Sequence, residues 1–134
     1  MGVLSGVGAA LDTVDIPVLG TGVVVGSGVV ANAAAVATIA AKTGQTAYLM
    51  GFQITAAGAT AASSVTVTIA GLAGGTISMG FTFPAGAGVP AQPLIVQYLV
   101  GLAASGPGVA IVITLPAGGS GNVSASVTAQ GFYQ

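Results

Sequence analysis

Histidine, cysteine, tryptophan, arginine and glutamate are all missing from this chain of 134 residues. Its only charged side chains are Asp12, Asp15 and Lys42. Without thiols or imidazoles there is no zinc finger, no histidine-ligated metal and no disulfide. The same absences remove Ser-His-Asp and Cys-His nucleophile relays. One lysine cannot neutralise a run of phosphates, so electrostatics excludes nucleic-acid binding. A formal net charge of −1 with 54% hydrophobic residues is the opposite of a disordered composition. These absences predict no catalytic residue, no cofactor-binding residue, no metal ligand and no small-molecule substrate. The expectation is a structural protein and not an enzyme.

The uncharged stretch from Ile16 to Ala41 is long enough to cross a bilayer. Gly20, Gly22, Gly26, Ser27, Gly28 and Asn32 interrupt it, however, and aromatics make up only 5% of the chain. Lys42 alone gives no orientation signal. No membrane association is therefore expected. The opening residues lack the basic region of a signal peptide, and Gly6 stands where myristoylation asks for Ser or Thr.

What is present is alternation. Ala47–Thr55 places Tyr48, Met50, Phe52 and Ile54 on one face, the expected middle of the core, against Leu49, Gly51, Gln53 and Thr55. Ser64–Ala70 alternates β-branched residues strictly, and Thr76–Phe83 sets Ile77, Met79, Phe81 and Phe83 together. Pro93–Val100 aligns Leu94, Val96, Tyr98 and Val100, and Val109–Leu115 aligns Val109, Ile111, Ile113 and Leu115. Asn122–Phe132 sets Val123, Ala125, Val127 and Ala129 against Ser and Thr. Period two with β-branched residues marks half-buried antiparallel strands. Weaker strands are expected at Thr21–Gly26 and at Ala33–Ile39, where Val36, Thr38 and Ile39 outweigh the helix propensity of the alanines.

Glycine-rich turns at 42–45, 57–60, 72–75, 105–108 and 117–121 separate these segments. Phe81-Thr-Phe-Pro-Ala-Gly echoes Ile113-Thr-Leu-Pro-Ala-Gly, one type of strand exit used twice. The pattern predicts an all-β fold: a single antiparallel sandwich of about eight strands, jelly-roll-like. Residues 1–28 read as an extended N-terminal arm and residues 29–134 as the sandwich domain.

Several local patterns resemble sites without their chemistry. Gly26-Ser-Gly28 after a valine run approaches a dinucleotide fingerprint, yet no acid follows Asp15 to bind a ribose. Asp12 and Asp15 are too few for calcium, which takes roughly six to eight oxygens. Lys42 precedes Thr43-Gly44 but lacks the glycine-rich loop of a phosphate site. Val65-Thr-Val-Thr68 is too short for a threonine ladder of the ice-binding kind. Tyr48, Tyr98 and Tyr133 with Gln53 and Gln97 suggest a sugar platform, but core packing accounts better for Tyr48 and Tyr98.

The outward positions of the strands carry Thr, Ser, Gly, Ala and Gln, with charged residues at 2% of the chain. A soluble surface is ordinarily about 25–35% charged. An uncharged surface with open strand edges invites association, so a homo-oligomer burying its Thr/Ser/Ala faces is expected. The run Ala41-Lys-Thr-Gly-Gln-Thr-Ala-Tyr-Leu-Met-Gly-Phe-Gln-Ile-Thr, continuing to Leu72, resembles small virion proteins of tailed bacteriophages. The Gly-Gly-Thr76 turn and the Phe-Pro-Ala-Gly86 exit extend the likeness over residues 30–134. It implies a capsid decoration (cement) or head-fibre β-sandwich subunit on the outer surface of the phage capsid. It also implies a homotrimer, with the major capsid protein as partner. A receptor- or glycan-binding tip or fibre module of the virion is the alternative. In either case the arm, with Asp12 and Asp15, would add a strand to a partner's sheet edge.

Overall fold

Alternating β-branched segments separated by glycine turns pair into two sheets. The computed structural model describes residues 22–134. Eight strands run in order: β1 (Gly22–Gly26), β2 (Ala35–Ile39), β3 (Ala47–Ala56) and β4 (Ser63–Ala70). They continue as β5 (Ile77–Phe83), β6 (Leu94–Ala103), β7 (Ile111–Leu115) and β8 (Ala125–Tyr133). The first sheet has the order β1-β8-β3-β6 and the second β2-β7-β4-β5. Every pairing between strands is antiparallel. The first strand pairs with the eighth, the second with the seventh, the third with the sixth and the fourth with the fifth. This is the connectivity of one long hairpin folded over on itself.

The all-β expectation and the eight strands are observed, each within a few residues of its expected bounds. Among the described residues no helix is long and apolar enough to cross a membrane. β1 pairs along its length with β8, from Gly22 opposite Phe132 to Gly26 opposite Thr128, so these residues belong to the first sheet. Residues 1–21 of the expected arm, with Asp12 and Asp15, lie outside the described residues.

The two inner faces meet over Ile39, Leu49, Ile54, Val67, Ile69, Phe83, Ile111, Ile113, Leu115 and Val127, all fully buried. Phe81 meets Phe83 edge to face, ring centroids 5.2 Å apart. Ala35, Ala37, Ala47, Ala125 and Ala129 are also buried and let the sheets approach closely. Pro84 and Pro116 immediately follow β5 and β7, so the echoed exits both end strands of the second sheet. The turns take positive φ at Gly44, Gly74, Gly75, Gly108, Gly119 and Gly121, where the glycine pattern placed them.

One strand departs from the expected facing. Along β3 the partner register jumps between Leu49 and Gly51, on both the β8 side and the β6 side. Against β8, Leu49 faces Gly131 and Gly51 faces Gln130, leaving Met50 as an extra residue. A β-bulge of this kind reverses the facing of the residues beyond it. Phe52 and Ile54 point inward as expected, but on the near side it is Leu49 that is buried. Tyr48 and Met50 are only half-buried and face outward. A Cβ at Gly131 would collide with the Tyr48 carbonyl oxygen and lie 2.9 Å from Ile39 Cδ1 of the facing sheet. Glycine at 131 therefore admits the displaced backbone of β3.

Asn122 is the one buried polar residue of the described chain. Its Nδ2 donates to the Ala57 carbonyl at 2.8 Å and the Ser124 carbonyl at 3.1 Å. Its Oδ1 accepts the Asn32 backbone N–H at 3.0 Å, where the chain adopts φ 43°. The side chain thus ties three loops together and leaves no polar atom orphaned.

Two outcomes follow from this packing. Leu49→Ala should cost about 2–5 kcal/mol and Met50→Ala less than about 1 kcal/mol in denaturant titrations, although alternation alone ranks them the other way. Asn122→Leu should lower stability by about 1–3 kcal/mol by stranding the Ala57 carbonyl and the Asn32 N–H, a loss visible as a fall in the thermal midpoint.

Candidate interaction surface

The outward faces of the two sheets differ in chemistry. On the second sheet, Val36, Thr114, Thr68 and Ser78 align in one row, beside Thr66, Ser64 and Thr82. Ser64 and Thr82 share a hydroxyl hydrogen bond of 3.2 Å. This is the uncharged hydroxyl surface expected from the alternation.

The first sheet presents something else. Opposite the single extra residue Met50, β6 runs from Gln97 to Leu102 before pairing resumes, so Tyr98, Leu99, Val100 and Gly101 bow out of the ladder. The excursion leaves Leu99 fully exposed and Val100 79% exposed, with Ile95 at 64% beside them. Alternation aligns Val100 on one face with Leu94, Val96 and Tyr98. The bow expels it, and Leu102 packs against the core instead. Tyr48 and Phe132 are cross-strand neighbours whose rings stack with centroids 4.9 Å apart and 3° between planes. Such a pair contributes about 0.5–1.5 kcal/mol beyond its area.

Tyr48, Met50, Leu99, Val100, Gly101, Phe132 and Gln134 together line a groove of about 370 Å³. Gly101 forms its floor, where a Cβ would lie 3.2 Å from Met50 Sδ, Phe132 Cε1 and Tyr48 Cβ. The groove is lined by no carboxylate, amine or thiol side chain, and its only polar side-chain groups are the Gln134 amide and the Tyr48 hydroxyl. Its lining offers mainly apolar contact.

The three tyrosines do not converge. Tyr48 faces outward, while Tyr133 is buried and its hydroxyl donates to the Ala40 carbonyl at 2.7 Å. Tyr98 is half-buried at the start of the bow, with a hydroxyl that has no hydrogen-bond partner. Gln53 and Gln97 lie on the outer face, Gln53 between Ile95 and Thr128 and Gln97 opposite Gly51. Lys42 sits in its expected turn, closed by the Gln45 N–H donating to the Lys42 carbonyl at 3.1 Å. Its Nζ lies 5.0 Å from the Tyr133 ring centroid, a cation–π contact that no local spacing announces. After Gly26 no helix follows, and Ser27 Oγ accepts the Val127 N–H at 2.9 Å. The Gly26–Gly28 segment is therefore a strand exit.

Comparison with protein-family models, with curated proteins and with solved structures returns no match.

Burial holds the Tyr98 phenol above its ordinary pKa of 10.0. Above that pH the unfolded chain loses this proton while the folded chain keeps it, so stability falls as pH rises. Tyr98→Phe should flatten that alkaline limb in thermal scans at successive pH values. At neutral pH it should be neutral or stabilising, because it removes a hydroxyl without a partner.

Proposed function

We propose that this chain is a non-enzymatic structural virion protein, a capsid decoration (cement) subunit that oligomerises on a phage head and stabilises it. The observation that carries the reading is the pairing of an eight-stranded fold with a surface almost free of charge. The nested order β1-β8-β3-β6 over β2-β7-β4-β5 supports a jelly-roll assignment, an architecture used in viral capsids and lectins. Lys42 is the single charged side chain among the described residues. A surface built of hydroxyls, small side chains and one apolar face suits permanent contact with neighbouring subunits better than a solitary life in solvent. The partners are further copies of the chain, a homotrimer, and the major capsid protein.

The alternative reading, a receptor- or glycan-binding tip or fibre module, draws on the outward Tyr48–Phe132 stack beside Gln134. Against it, the connecting loops hold mainly Gly, Ala and Ser, with few side chains for a specific ligand.

Counting copies in purified particles by quantitative mass spectrometry separates the two. Decoration requires hundreds of copies per particle; a dozen or fewer places the protein at a vertex or tail and overturns the cement assignment. Attachment should also resist salt, because raising ionic strength to about 1 M shortens screening to roughly 3 Å yet leaves apolar contacts intact. Release by salt alone at neutral pH would contradict it.

A further inference from the structure

We infer that the outer face of the first sheet, centred on Leu99 and the Tyr48–Met50–Phe132 groove, is the contact between copies of this chain. The inference rests on the homo-oligomeric part of the reading above and not on the trimer number: a self-complementary face pairs with its own copy as a two-fold contact. The Thr/Ser rows of the second sheet are not that surface.

Three observations carry the choice of a second copy as the occupant. First, a protruding side chain and a receiving groove lie side by side on one face. Leu99 is fully exposed at the crest of the β6 bow, and the groove beside it is walled by Tyr48, Met50 and Phe132. A face that carries both knob and hole complements another copy of itself.

Second, the face has the right size. Its four strands lie about 4.8 Å apart and the ten-residue β3 rises about 3.3 Å per residue, so it measures on the order of 600 Å² in plan. Side-chain relief raises the accessible area toward the roughly 800 Å² per partner that a stable complex buries.

Third, β3, β6 and β8 carry no charged side chain, so no side-chain charge on this face repels a second copy. A foreign partner chosen by charge complementarity would find nothing to pair with.

The same geometry disfavours joining edge to edge. β6 is one of the two edges of the first sheet, and its bow at Tyr98–Gly101 interrupts the row of backbone groups that an added strand would need, while the other edge, β1, offers only the five residues Gly22–Gly26. Copies therefore meet face to face, with Leu99 of one seated in the groove of its neighbour.

Sedimentation velocity on the full chain at micromolar concentration tests this, with Leu99→Asp compared to Thr66→Asp. Both place one new acid at an exposed position, the first on the proposed contact and the second on the outer face of the other sheet. The expected result is an oligomeric parent and Thr66→Asp variant, with Leu99→Asp weakening association by on the order of 30-fold or more. Cooperative unfolding by circular dichroism checks that each variant folds, and Leu99→Ser substitutes if Leu99→Asp does not. A monomeric parent overturns the inference. So does an oligomer that survives both Leu99 substitutions, or one that Thr66→Asp disrupts equally. A parent that becomes oligomeric only when residues 2–20 are removed also overturns it, because the groove would then be covered by the chain's own N-terminal segment. Hundreds of copies on particles with any of these results would leave the virion reading standing. A Leu99-dependent oligomer absent from particles would sink the virion reading alone.

Discussion

The register jump at Met50 governs the first sheet. β3 lies between β8 and β6, and the extra residue must be absorbed by both neighbours. On the β8 side the absorption is done by Gly131, which has no side chain to obstruct the Tyr48 carbonyl. On the β6 side it is done by four residues bowing outward. Because side chains alternate with period two, the jump brings Leu49 inward and turns Tyr48 and Met50 outward. The apolar groove follows directly from that reversal.

Elsewhere the molecule is held by what an almost charge-free chain has available. Backbone ladders satisfy the peptide groups, and the two inner faces exclude water through Ile, Leu, Val and Phe with alanine as spacer. The few polar side chains act locally. Asn122 closes three loops at once, Tyr133 anchors the Ala40 carbonyl, and Lys42 rests over the Tyr133 ring. The Lys42 contact adds about 0.5–1 kcal/mol at most at such an exposed position. Stability is consequently a matter of packing and backbone pairing, and ionic strength has little to act on.

The two outer surfaces divide the chemistry between them. One sheet shows hydroxyl rows that hydrogen-bond across strands and remain compatible with water. The other carries Gln53, Thr128 and the hydrogen-bonded Thr55–Ser126 pair at one end, and aromatic, methionine, leucine and valine side chains around a groove at the other. In the proposed assembly this asymmetry gives each face a separate task, the apolar one toward sister copies and the hydroxyl-rich one free for the shell or solvent.

The alternation in β4, β5, β7 and most of β8 was legible residue by residue, because a strand buried on one face and wet on the other must repeat with period two. Pro84, Pro116 and the turn glycines likewise announced where strands end, since their backbone limits are intrinsic. The absence of histidine and cysteine, and with it of Ser-His-Asp and Cys-His relays and of thiolate or imidazole metal ligands, was equally a property of composition. Strand order was not legible, since pairing β1 with β8 joins residues a hundred positions apart and no local pattern encodes it. Nor was the bulge at Met50: unbroken alternation puts Tyr48 and Met50 in phase with Phe52 and Ile54, and nothing within Tyr48-Leu49-Met50-Gly51-Phe52, apolar at nearly every position, marks where that phase breaks. Only contact with Gly131 and Ile39 from other strands selects which of those side chains goes inside. That tertiary choice exposed Leu99 and Val100, packed Leu102 against the core, and produced the apolar groove of the first sheet.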